Sequence, residues 1–180
     1  MAKLGVELVP ATSWYSNVRS LLPTKEWDRL RKASYAHAGY KCEICGGSGL
    51  YQGYRHPLEC HEIWHYNDKT HVQTLKGLVS LCPYCHMCKH IGRANAMGNQ
   101  PIAFGHMEAV NGWNHKMVVN HVASEFEIFK KRSKHQWVID LTILSKNFDV
   151  DAKLITEAQK KPRDVIKHPW KKKRRKKKKR

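Results

Sequence analysis

Apolar positions recur along this chain with two periods, and the change from one to the other outlines the fold. Over residues 25–38, Trp27, Leu30, Arg31 and Ser34 share one helical face, which Tyr35 and Ala38 extend. Thr24 stands where a helix N-cap is expected, and Gly39 supplies the stop. Leu50 to Tyr54 reads as a short strand. Leu58 to Tyr66 and Val72 to Leu81 read as longer strands with bulky side chains, the second interrupted at Gly77, and Asn67-Asp68-Lys69 forms the loop between them. Helical spacing then returns. Pro83 opens a helix expected to reach about Ala96 and stop near Gly98. Further helices are expected over 101–112 and 115–132, the latter with Val118, Val122, Phe126 and Phe129 on one side, and Trp137 to Leu141 suggests a last short strand.

This order predicts an α+β fold: a small core of a β-hairpin and a helix with flanking helices and a disordered basic C-terminal tail. The expected division is an N-terminal arm over 1–23, packed on the domain, a core domain over 24–147, and a polar linker and basic tail over 148–180.

Composition narrows the class. With 41% hydrophobic and 9% aromatic residues in 180, the chain can bury a core, and no apolar run is long enough to span a membrane. The formal net charge is +18, and the last ten residues are all Lys or Arg. Without those ten, 23 basic residues still face 15 acidic ones, so the body is basic in its own right. Such a balance calls for a polyanion, and DNA, or RNA, is the commonest one. Lys89 and Arg93 in the body and Lys171, Lys172, Lys173, Arg174 and Arg175 in the tail are the candidate phosphate contacts. No secretion signal is visible, so an intracellular setting is expected: cytoplasm or nucleoid, or the nucleus for a eukaryotic or viral protein.

Cysteine spacing gives the sharpest signal. Cys42-x2-Cys45 is followed after 36 residues by Cys82-x2-Cys85. Two such knuckles supply four thiolates, the donor set of a tetrahedral structural Zn²⁺, and a β-hairpin fits the length between them. Cys60 and Cys88 lie outside both knuckles and read as structural thiols.

Histidines supply a second candidate centre. His86 directly follows Cys85, and His90 is four residues on, so both share a face of the expected helix. His61 lies in the middle of the first long strand. A strand histidine opposite an i, i+4 pair is a metal-site arrangement.

Together Cys42-Glu-Ile-Cys45, Leu58-Glu59-Cys60-His61-Glu62-Ile63 and Leu81-Cys82-Pro83-Tyr84-Cys85-His86-x3-His90 resemble HNH (His-Me finger) endonucleases that carry a pair of cysteine knuckles. The resemblance covers residues from about 24 to 95. It implies a small zinc-stabilised ββα-metal core and a metal-dependent DNA endonuclease in which a hairpin and helix hold one divalent ion, Mg²⁺, Mn²⁺ or Zn²⁺, at the scissile phosphate, while a strand side chain activates water. Two registers follow. In one, His61 is the base and Cys60 fills a ligand position. In the other, His61 is a ligand with His86 and His90, and Glu62 is the base. Ile63 favours the second, because family strands continue apolar after the base. Glu59 and Glu62 are each placed to assist with metal or water. The chain departs from the family at Gly77, where an Asn usually orients the catalytic loop; Asn67 or Asp68 is the candidate substitute. The alternative reading is a non-catalytic zinc-stabilised nucleic-acid-binding module. Trp64, on the strand of His61, is expected to border the nucleic-acid site.

Overall fold

The computed structural model describes residues 2–14 and 16–160. Lys171, Lys172, Lys173, Arg174, Arg175 and the rest of the tail lie outside the described residues.

A 3₁₀ turn (Ala11–Ser13) and a short helix α1 (Val18–Leu21) interrupt the otherwise irregular arm, and α2 follows over Thr24–His37. The hairpin is β1 (Glu59–Asn67) and β2 (Val72–Leu81). Behind it come α3 (Pro83–Lys89), α4 (Ile91–Ala96), α5 (Gln100–Asn111), α6 (His115–Arg132), β3 (Val138–Asp140), α7 (Ile143–Asn147) and α8 (Ala152–Lys160). The sheet has the order β1-β2-β3, with β2 antiparallel to β1 and parallel to β3. The α+β class and the ββα unit expected from the sequence are therefore present, with four cysteines clustered where a zinc site was expected.

Two apolar clusters occupy the two sides of the hairpin, and a strand's period of two decides which side chain joins which. Val79 and Leu81 pack with α3, α5 and α6 and with Leu4 and Val6 of the arm. Cys60, Trp64 and Leu78 pack with Leu21, Trp27 and Leu30 on the other side. Leu75 also joins this second cluster, although alternation from Leu78 would send it to the first. The register explains this: Ile63 faces Gly77 but Trp64 faces Leu75, so Lys76 is an extra residue that resets the phase of β2. Gly77 thus lies beside a bulge in an unbroken strand and does not interrupt it.

Four other expectations need correction. Leu50 to Tyr54 is a 3₁₀ turn over Gly49–Gln52, not a strand. Leu50 and Tyr51 are 60% and 94% exposed, so no sheet face is there for them to cover. Pro23, not Thr24, occupies the N-cap of α2, and no side chain caps that end. The single helix expected from Pro83 to Ala96 breaks at His90, whose φ and ψ are −100° and 47°. The break turns Ile91 and Ala94 into the core, at 1% and 4% exposure. Finally, the polar linker expected from 148 onward folds back on the domain. Val150, Ile155 and Ala158 are buried with Leu144, and Gln159 Nε2 donates to the Ile139 carbonyl at 3.2 Å. No helix among the described residues is long and apolar enough to cross a membrane.

Candidate metal centres

The four-cysteine centre joins the loop after α2 to the start of α3. In the first knuckle the Cys42 N–H donates to the Gly47 carbonyl at 3.0 Å and Gly46 N–H returns to the Cys42 carbonyl at 2.8 Å. Gly46 makes this turn at φ 72°, a conformation that glycine adopts without strain. Glu43 clips the knuckle to β2: its N–H donates to the Ser80 carbonyl at 3.0 Å, and its carboxylate accepts the Ser80 N–H at 2.5 Å. The second knuckle is built into α3. Cys82 is the N-cap, its sulfur accepting the Cys85 N–H at 3.5 Å, and Pro83 occupies the first turn.

As a result the four Sγ atoms lie within 4.8 Å of one another. Gly47 N–H and Gln52 Nε2 donate to Cys45 and Cys82 sulfurs at 3.4 and 3.2 Å, and His106 Nε2 lies 3.1 Å from Cys85 Sγ. The electrostatics fit a cation. Hydrogen bonds from Cys82 and Cys85 hold Cys42 well below the usual thiol range. Burial, followed by the Cys42 and Cys82 charges, pushes Cys45 up to about 11, and the hydrogen bonds to Cys42 and Cys82 drive Cys85 far higher. One thiolate forms readily; four together require a positive ion between them. The group is thus one that can hold a structural metal.

The histidine centre lies on the α3 side of the hairpin. His61, opposite Val79 in the register, points toward α3, where His86 belongs to the helix and His90 sits at its C-cap. Candidate ligand atoms of all three lie within 4.8 Å of one another. Ring centroids are 5.4 Å apart for His61 and His86, 4.9 Å for His61 and His90, and 4.6 Å for His86 and His90. The sequence-predicted triad therefore assembles, although its helix is broken at the third member. Burial lowers the pKa of His61. Burial and the neighbouring His86 and His61 lower His90 to about 3. Both rings are neutral near pH 7, the form that ligates metal.

Carboxylates back the cluster. Glu7 Oε2 lies 2.9 Å from His61 Nε2, and its Oε1 pairs with Lys89 Nζ at 2.5 Å. Burial works against the Glu7 charge, but His61 and Lys89 still hold its carboxyl down at about 2. Glu59 pairs with His86 Nδ1 and with His56 Nε2, the latter at 3.0 Å, and these partners overcome burial to hold it at about 2 as well. Nothing in the irregular stretch around Glu7 marks it as part of a site from sequence.

Glu62 shares the α2 face of β1 with Cys60. Its Oε1 accepts the Val18 N–H at 2.7 Å and its Oε2 the Trp64 indole N–H at 3.1 Å, while burial raises its carboxyl to about 7. A cleft of about 1050 Å³ runs past β1 and is lined by His61, His86, His90, Glu62, Trp64 and Arg93, among others. Arg93 is exposed at this cleft, whereas Lys89 is engaged by Glu7. Asn67 and Asp68 are not placed to take the part that the Asn plays in the family the sequence resembles. Asn67 caps the hairpin turn and Asp68 pairs with Arg132, at the hairpin's far end from His61, roughly 20 Å away at about 3.3 Å per residue. Cys60 is half-buried against the α2 side, and Cys88 Sγ meets the Ala103 carbonyl at 3.2 Å, as structural thiols do.

No family model, curated protein or solved structure matches this chain. The functional reading therefore rests on the two centres and the cleft.

Proposed function

We propose that this protein is a metal-dependent endonuclease of the HNH type that hydrolyses phosphodiesters in nucleic acid, DNA foremost, with zinc on Cys42, Cys45, Cys82 and Cys85 as its structural metal. The observation that supports it is the convergence of His61, His86 and His90 at one side of an open cleft, on a hairpin and helix joined through the cysteine knuckles. Three imidazoles, two of them held neutral and two backed by carboxylates, fit a divalent ion. Bound there, Mg²⁺, Mn²⁺ or Zn²⁺ would supply positive charge to a phosphate oxygen and to the leaving oxygen.

The chain's own residues divide the remaining work. His61 clusters with the other two histidines, which favours the register in which it is a ligand and Glu62 the base. Glu62 follows it on β1, lines the same cleft, and is held by the Val18 and Arg19 backbone and by Trp64, with the carboxylate's remaining lone pair left to take a proton from water. Arg93, exposed beside His86 and His90, is the phosphate contact of the body; the tail residues Lys171 to Arg175 add non-specific attraction. The non-catalytic alternative is favoured by one observation, that both oxygens of Glu62 already accept hydrogen bonds. Nicking of supercoiled plasmid with Mg²⁺, Mn²⁺ or Zn²⁺ and its loss in EDTA distinguishes the two. No cleavage with any of these ions leaves the binding module.

A further inference from the structure

We propose that Glu7 is a positioning residue of the histidine centre, clamping His61 by Nε2 so that Nδ1 is the nitrogen offered to the ion. The inference rests on the metal-site reading above and adds a component from outside the stretch that resembles any nuclease. A neutral imidazole carries one N–H and one lone pair, and a carboxylate only accepts. With Glu7 Oε2 at 2.9 Å from Nε2, the proton sits on Nε2 and the lone pair is left on Nδ1. The other Glu7 oxygen is held by Lys89, so the carboxylate stays with the ring and does not turn to the ion itself. Glu59 acts on His86 in the opposite sense: it takes Nδ1 and leaves Nε2 as the ligand atom.

The arm that carries Glu7 is fixed before it and at Glu7 itself. Leu4 and Val6 are buried, and their N–H groups donate to Asn111 Oδ1 at 2.9 Å and His121 Nε2 at 3.0 Å. The Glu7 N–H donates to the Lys89 carbonyl at 3.0 Å, next to His90. Docking of the arm and binding of the ion are therefore linked, and each tightens the other by the same factor.

The test uses the full chain with zinc in the cysteine site, titrated with Co²⁺ and followed by calorimetry and by proton NMR after ¹⁵N-histidine labelling. In the parent, the Co²⁺ form should show a slowly exchanging proton on Nε2 of His61 and on Nδ1 of His86. Glu7→Ala should weaken Co²⁺ binding roughly 10–100-fold, the usual cost of losing such a carboxylate, and lose the His61 signal alone to exchange. Glu7→Gln, which keeps an acceptor oxygen, should recover most of both. Thermal melts and zinc content check that each variant is folded. Unchanged Co²⁺ affinity in Glu7→Ala, or a proton on Nδ1 of His61, overturns the inference while the metal site stands. A parent that takes up no ion beyond the four-cysteine site overturns the metal reading itself, and this inference with it.

Discussion

His61 and Glu62 are consecutive residues of β1 that serve opposite sides of the sheet. His61 pairs with Val79 and meets His86 and His90 on the α3 side; Glu62 pairs with Leu78 and is held by Val18 and Trp64 on the α2 side. Because β1 is an edge strand, the cleft along it reaches both side chains. A ligand and a base can therefore come from adjacent positions without sharing a face.

That placement has a cost that pH can reveal. Burial raises Glu62 to about 7, from 4.5 when exposed. The folded state thus favours the protonated acid, and stability falls as pH rises from about 4.5 through about 7, by roughly 3 kcal/mol in all. Glu62→Gln cannot ionise and lacks this slope. Urea unfolding of parent and variant at pH 5 and pH 8, without added divalent ion, should show the variant gaining on the parent by most of that amount. Glu7 and Glu59 titrate in the opposite sense and cancel in the comparison. A parent–variant difference that is the same at both pH values would show that Glu62 ionises as an ordinary carboxyl.

Removing one thiol should cost far more than removing one histidine. A structural zinc site of this donor set contributes on the order of 10 kcal/mol, comparable to the whole stability of a domain. Cys42→Ala is expected to lose zinc by elemental analysis and to melt far below the parent. His86→Ala, with its ring 19% exposed and no part in the four-thiol group, should keep its zinc and its melting behaviour.

The two centres were legible in the sequence because short spacings fix them: two Cys-x2-Cys pairs, at 42/45 and 82/85, supply four thiols, and His86-x3-His90 spans one helical turn. Long-range placement was not. Glu7 reaches His61 only because Leu4 and Val6 anchor an arm whose alternation, Leu4, Val6 and Leu8, is too short to mark a docked segment from sequence. The break at His90 is set by the burial of Ile91, a tertiary demand that overrides helical continuity. The Lys76 bulge hides in a run that alternation alone reads as an interruption. At the end of the domain the pattern is present but faint: Leu154 and Ile155 are adjacent and Ala158 lies one helical turn from both, a short apolar stripe set in a stretch polar enough to pass for a linker.

That stripe makes α8 part of the domain. Ile155 is 5% exposed, beside Leu144 and Val150. Ile155→Ala should cost about 3 kcal/mol, or roughly 10 °C in melting temperature for a chain of this size. A melt within 2 °C of the parent would mean that α8 contributes no packing.

Deleting Lys171 to Arg180 should weaken DNA binding and flatten its dependence on salt, by about 0.9 in the log–log slope for each phosphate that the tail neutralises. Fluorescence anisotropy of a labelled duplex between 50 and 200 mM salt measures it. Cleavage at low salt should survive, since the candidate ligands of both centres lie between Cys42 and His90. An unchanged slope would assign the tail to another partner.

The roles proposed for His61 and Glu62 should separate in kinetics. His61→Ala should lose a hundredfold or more in nicking rate, as should His86→Ala, because each removes one of the three proposed ion ligands. In both, raising the divalent ion concentration should recover part of the rate, since what is lost is affinity for the ion. Glu62→Gln removes no ligand. Its rate should fall by a general base's contribution, about 10²–10⁴-fold, with the ion requirement unchanged and no recovery at high metal. A Glu62→Gln protein that nicks at the parent rate would return the base to His61, in the register that leaves Cys60 beside it. Full nicking by folded His61→Ala would remove the histidine centre from the chemistry altogether.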